Sequence, residues 1–334
     1  MKSKRLFLML GLGSSLLAAL LFFRVDEARD SFPARRQFEV TYQAKMDGPP
    51  PGSQSVRLWI PLASSREGQT ILKREISAPA AYQITRDPVY GNEMAYFDLR
   101  PPIPEPFHFE ARYRVEMSSE DFERKNQEKD GLEKYLSSTH LMAVDEEVRK
   151  RAVSATGGRK TWLDKARGIY EDVIHRMSYD KTAPGWGRGD TVRACLLGKG
   201  NCTDFHSLFI SMAHAAEIPA RFKIGLTLPN GAGGEIPGYH CWAEFYEEGK
   251  GWRPVDASEA WKHPEKKETY FGNFDTNKFL ISVGRDIDLV PRQSGPPVNI
   301  FFYPTIEADG KEWQGAKTSF RFKDLKLEEG KNER

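Results

Sequence analysis

Between Phe107 and Met117, six apolar residues (Phe107, Phe109, Ala111, Tyr113, Val115 and Met117) alternate with polar ones without a break. A repeat of two puts successive side chains on opposite faces of a strand, so one face here is apolar and must meet a second apolar layer. A helix would scatter the same residues around its whole circumference. Phe38, Val40 and Tyr42 repeat the alternation, as do Val56, Leu58 and Ile60, and Pro and Gly punctuate the runs at 48–52, 101–106 and around Gly91. Short alternating runs separated by turn residues predict an antiparallel β-sandwich over 37–118.

Beyond this region the period changes. A charged stretch from Ser118 to Asp130 reads as the core of a linker spanning 119–139. Within Thr161 to Ser178, Trp162, Ala166, Ile169, Tyr170, Val173 and Met177 recur at three and four, the mark of an amphipathic helix, and a second helix is expected between Val144 and Ser154. Strands followed by helices make an α+β chain, with a second unit over 140–322 and a charged tail over 323–334. A length of 334 residues with 39% apolar side chains supports two such units.

Residues 6–23 carry no charge and follow Lys2, Lys4 and Arg5. As a helix they reach about 27 Å, close to the thickness of a bilayer's hydrocarbon. We read 1–24 as an uncleaved membrane anchor with its basic end in the cytoplasm, which leaves the folded part periplasmic or extracellular. The alternative is a signal peptide cut after Ala19, giving a secreted protein. Lys and Arg total 49 against 47 Asp and Glu, and without the three leading cations 46 face 47. No basic excess or stripe exists, which argues against a nucleic-acid partner. Three cysteines do not make a disulfide scaffold; Cys195 and Cys241 read as packed apolar residues, with a disulfide between them permitted outside the cytoplasm.

Chemistry concentrates in two segments. In 198–221, Asn201 is a good N-cap and Asp204 completes a capping box, which sets Cys202 at the first position of a helix whose apolar face is Phe205, Leu208, Phe209, Met212 and Ala216. Unpaired N–H groups there favour a thiolate. In 239–256, Tyr239, Cys241, Ala243 and Phe245 alternate with His240, Trp242, Glu244 and Tyr246 on a strand that turns near Glu248. A turn centred there pairs 246 with 250 and 240 with 256, bringing His240 opposite Asp256, while a bulge at Gly249 would slip that register by one. Nucleophile, base and orienting carboxylate are what thiol catalysis requires.

His206, one turn beyond Cys202, is a rival base without an evident carboxylate, and His214 should face solvent. A zinc set drawn from Cys195, Cys202, His206, His240 and Cys241 matches no closed ligand spacing, so neither metal nor cofactor is expected. The glycines of 230–234 could form a flap over a cleft, and Trp186 either a cleft wall or packing.

These segments resemble the transglutaminase-like superfamily, whose fold is related to papain. The resemblance rests on Gly200-Asn-Cys202-Thr-Asp204 with Ile218-Pro-Ala-Arg221, then His240-Cys-Trp242-Ala-Glu244, then Gly251-Trp-Arg-Pro-Val-Asp256, in that order. It covers about 140–265 and implies a papain-like catalytic core behind the sandwich, with Cys202 as nucleophile, His240 as base and Asp256 as its orienter. The superfamily includes cross-linkers, peptidases, amidases and inactive members, so the reaction stays open. No acidic calcium-site pattern is present, and hydrolysis of a peptide or isopeptide is preferred over cross-linking. A non-catalytic module that binds envelope peptides on the same fold is the alternative. Cell-wall peptides or envelope proteins are the expected partners of an anchored, exported chain.

Overall fold

A computed structural model describes residues 32–126 and 131–327. The run at 6–23 lies outside them, and among the described residues no helix is long and apolar enough to cross a membrane.

The alternating residues do face a common core. Phe38, Val40, Tyr42, Val56, Leu58, Ile60 and the six from Phe107 to Met117 are all at most 2% exposed. Two five-stranded sheets enclose them. In the first, Arg35–Met46 lies between Phe107–Ser118 and Ala316–Leu325; in the second, Val56–Leu62 lies between Glu93–Leu99 and Thr305–Ala308. The sandwich therefore does not close within 37–118, because strands from the far end of the chain complete both sheets. The boundary drawn at 322 and the tail drawn from 323 both miss this. Lys323, Asp324 and Leu325 continue a strand in which only Phe320 and Phe322 are buried. Its outer face is polar, and two buried positions are too few to be read as alternation.

The stretch read as a linker is also ordered where it is described. Helix α1 (Ser119–Lys125) buries Phe122 against Phe274, with ring centroids 4.5 Å apart. Residues 127–130 lie outside the described part.

The catalytic-type unit is a four-stranded sheet with helices on one face. Its order is Gly251–Val255, His240–Glu247, Ala220–Thr227, Lys278–Val283, all antiparallel. Helices α3 (Trp162–Arg176) and α5 (Cys202–Ala215) pack on the sheet, and α2 (Glu146–Thr156), α4 (Thr191–Leu197) and α6 (Ala257–Lys262) pack around α5. Helix α5 is central, touching the other four and the strand His240–Glu247, and every residue from Cys202 to Ala213 is buried. His214 is accordingly half-buried and bonds to the carbonyl of Ala220 at 3.1 Å, rather than facing solvent. A helix enclosed on all sides has no wet face to offer it.

The two units share one hydrophobic core running from Phe38 to Phe322. Their seam is polar as well. Gln69 exchanges hydrogen bonds with the backbone N–H and C=O of Leu280 at 2.8 and 3.0 Å, and Asn92 does the same with Val283 at 2.8 and 2.7 Å. These amides pair with a sheet edge that would otherwise carry orphan backbone groups. Gly233 and Gly234 of the 230–234 stretch are drawn into the sandwich rather than forming a flap: Gly233–Ile236 pairs with Ala316–Leu325. A Cβ on Gly233 would stand 2.6 Å from the carbonyl oxygen of Phe322, so that close approach needs glycine.

Candidate active site

Helix α5 begins as its sequence requires. The Asn201 side chain accepts the N–H of Thr203 at 2.9 Å, and Asp204 Oδ2 accepts the N–H of Asn201 at 3.0 Å, closing the capping box. Asp204 also accepts N–H groups from Gly187 at 2.7 Å and Gly189 at 3.1 Å, so it fastens the loop carrying Trp186, itself 39% exposed, to the helix start. Gly200 makes room for this, since a Cβ there would lie 2.2 Å from Asp204 Oδ2. Cys202 is left at the first helical position, 2% exposed.

The strand register differs from expectation by two residues. Glu247 pairs with Gly251, Tyr246 with Trp252 and Glu244 with Pro254, leaving a three-residue loop in which Gly249 takes φ 77°. An αL residue in a loop of that length is a favoured hairpin closure. An even displacement keeps every side chain on its face, but His240 now lies beyond the ladder. Asp256 reaches it differently, as the N-cap of α6: Oδ1 accepts the N–H of Glu259 at 3.0 Å and the Ser258 hydroxyl at 3.1 Å, and Oδ2 lies 2.6 Å from His240 Nε2.

With Nε2 committed to Asp256, Nδ1 is the ring nitrogen left for Cys202. Burial works against a charged His240, but the Asp256 carboxylate and Cys202 outweigh it and push the imidazole up to about 10. The Cys202 thiol is held well below its ordinary range, first by a hydrogen bond from Cys241 and then, against burial, by the hydrogen bond and charge of His240. Burial opposes charge on Asp256 too, yet Lys278 and His240 keep its carboxyl well below the carboxylate range. Thiolate, imidazolium and carboxylate are thus mutually stabilising.

His206 does have a carboxylate neighbour. Its Nε2 accepts the N–H of Ala257 at 3.1 Å and lies 3.4 Å from Asp256 Oδ1, while Nδ1 lies 3.9 Å from the Cys241 sulfur. A nitrogen that accepts from a backbone amide carries no proton, which fixes the proton on Nδ1. Fully buried and so engaged, His206 braces the Asp256 turn. All three cysteines are free; Cys241 faces α5, 3.6 Å from Thr203 Oγ1, and does not pair with Cys195.

The remaining motif residues hold one another. Arg221 and Glu244 are ladder partners across two strands, joined at 2.6 Å, and Lys223 meets the same carboxylate at 2.7 Å. The Arg221 guanidinium lies 4.0 Å over the Trp252 ring. Lys278 went unnoticed in the sequence: its Nζ is 2.6 Å from Asp256 Oδ2. Its trace in the sequence is a lysine opening the run KFLISV, which is otherwise apolar except for Ser282.

Residues 149–257 match the transglutaminase-like superfamily. A Haemophilus influenzae protein described as uncharacterized is 30% identical over 324 residues, covering 82% of this chain and 86% of its own. The chain belongs to the transglutaminase-like superfamily. Among solved structures, one described as "a Putative Cysteine Protease from Cytophaga hutchinsonii" aligns with a TM-score of 0.59 at 15% identity, covering 89% of this chain and 93% of that one. That likeness spans the sandwich and the helical unit together, so the whole architecture of this transglutaminase-like chain, and not its core alone, is shared.

Proposed function

We propose that this chain is an exported thiol enzyme that attacks a peptide or isopeptide amide. The observation that carries the reading is the buried His240–Asp256 contact of 2.6 Å beside a cysteine at a helix N-terminus. The Cys202 thiolate adds to the amide carbonyl and His240 delivers its proton to the leaving nitrogen, so the C–N bond breaks as a thioester forms. Asp256 holds the imidazolium in the orientation this transfer needs. The now neutral His240 then takes a proton from water, whose oxygen adds to the thioester carbonyl; the C–S bond breaks, the carboxylic acid leaves, and the Cys202 thiolate and protonated His240 are restored. Hydrolysis is preferred to transfer onto an amine because bulk water is the acceptor at hand.

The uncharged run at 6–23 supports an anchor in the inner membrane with the folded part outside the cytoplasm, where peptidoglycan stem peptides and envelope proteins are the amides within reach. The test compares envelope peptides released by the wild type and by Cys202→Ala, together with iodoacetamide labelling of the three thiols at pH 6. Selective labelling of Cys202 and peptides lost only in the variant support the enzyme. Equal labelling of all three thiols with identical peptide profiles would replace it with a peptide-binding module.

A further inference from the structure

Asp256 Oδ2 serves two donors at once: His240 Nε2 at 2.6 Å and Lys278 Nζ at 2.6 Å. We propose that Lys278 is a positioning residue for the Cys202–His240–Asp256 set, holding Asp256 ionised so that His240 can stay charged against the thiolate. This rests on the enzymatic reading above and adds to it a residue outside the three sequence motifs.

Three observations support the assignment. The Lys278 side chain is 6% exposed, and its nearest acids are Asp256 and, at 3.8 Å, Asp275, so bulk water does not solvate the ammonium. A buried ion pair seldom stabilises a fold better than apolar side chains of equal volume, which leaves the lysine without a sufficient purpose in stability alone. The Trp242 and Tyr270 rings also lie 5.3 and 6.0 Å from Nζ, fixing the charge in place. Its strand is in turn clasped by Gln69 and Asn92, so the sandwich sets where this charge stands.

The titratable groups surrounding the carboxylate are His240, His206, Lys278, Asp275, Glu259, Cys241, Tyr170 and Tyr270. Of these only Lys278 and His240 stand within hydrogen-bond distance of Oδ2, whereas His206 Nε2 lies 3.4 Å from Oδ1. Without Lys278, burial drives Asp256 toward its neutral form. A neutral acid no longer stabilises the imidazolium, and the proton returns to the Cys202 sulfur at a higher pH.

The experiment is the pH profile of iodoacetamide labelling at Cys202 in the intact chain, read by peptide mass spectrometry. In Lys278→Met the acid limb should move up by about one unit, making labelling at pH values below the wild-type midpoint about tenfold slower, and Lys278→Arg should restore most of it. Should Lys278→Met fail to fold, the pair Asp256→Asn and Asp256→Asn/Lys278→Met decides, since a residue acting through Asp256 has nothing further to lose in that background. An activated wild-type Cys202 with an unmoved limb in Lys278→Met, or a further loss in the double variant, overturns the role of Lys278 alone. A wild-type Cys202 that labels no faster than Cys195 overturns the enzymatic reading itself.

Discussion

Replacing Glu244 by Gln removes one charge at nearly constant volume, and its surroundings set the size of the consequence. The carboxylate lies 2.6 Å from Arg221 Nη2 and 2.7 Å from Lys223 Nζ, and none of the three side chains is more than 6% exposed. Glu67, at 3.5 and 3.7 Å from the same two cations, is the second acid, so the substitution takes the cluster from neutral to one excess positive charge. At an effective dielectric near 20, each 2.7 Å contact is worth roughly 6 kcal/mol before desolvation. Desolvation returns much of that, and breaking a buried pair from one side costs about 3–5 kcal/mol net. A ceiling of similar size comes from Lys223, which can discharge instead. Removing its proton at pH 7 from an ordinary pKa near 10.4 costs about 4.6 kcal/mol, and less here, because burial and the neighbouring Arg221 already hold Lys223 below its usual value. Denaturant unfolding at pH 7 should therefore show Glu244→Gln less stable by about 3–5 kcal/mol. Its folded state binds fewer protons than its unfolded chain, so its stability rises with pH and the deficit narrows between pH 7 and about 10. A deficit under about 1 kcal/mol, the scale of an exposed pair, or one that widens with pH, would refute the assignment of Arg221 and Glu244 to structure.

Asp256→Asn should slow iodoacetamide labelling of Cys202 at pH 6 by about tenfold or more, and unchanged labelling would show that the carboxylate does not sustain the imidazolium. The same pair gives a pH-dependent stability. His240 is raised to about 10, so its contribution is complete below its unfolded value near 6.5 and is lost as the pH rises through the folded one; a stability curve flat between pH 7 and 10 in the wild type would contradict this. Gln69→Ala and Asn92→Ala each leave a backbone N–H and C=O of the edge strand unpaired, and each should cost about 1–3 kcal/mol with faster hydrogen exchange at Leu280 or Val283 respectively. A chain beginning at Glu120 loses those clasps and the strands that cover Phe320 and Phe322, and should aggregate; a soluble product with labelled Cys202 would show that the helical unit folds alone.

Local signals carried most of what the sequence made legible. Alternation from Phe107 to Met117 depends on neighbours two apart, and the box formed by Asn201 and Asp204 spans four residues, so both could be read without a partner segment. The same holds for Cys202 at its helix start. The faces of the strand His240–Glu247 were also legible, because an even error in register leaves every side chain on its own side.

What the chain alone did not disclose depends on segments far apart in sequence. Strand Ala316–Leu325 shows only two buried positions, and it becomes part of the sandwich because Arg35–Met46 offers it an open edge. His206 gains its carboxylate neighbour across 50 residues and Lys278 reaches Asp256 from another strand, neither contact having a periodic trace. Periodicity reports which side of an element is buried, whereas the identity of what buries it is set by the packing of elements whose order in space the sequence pattern does not encode.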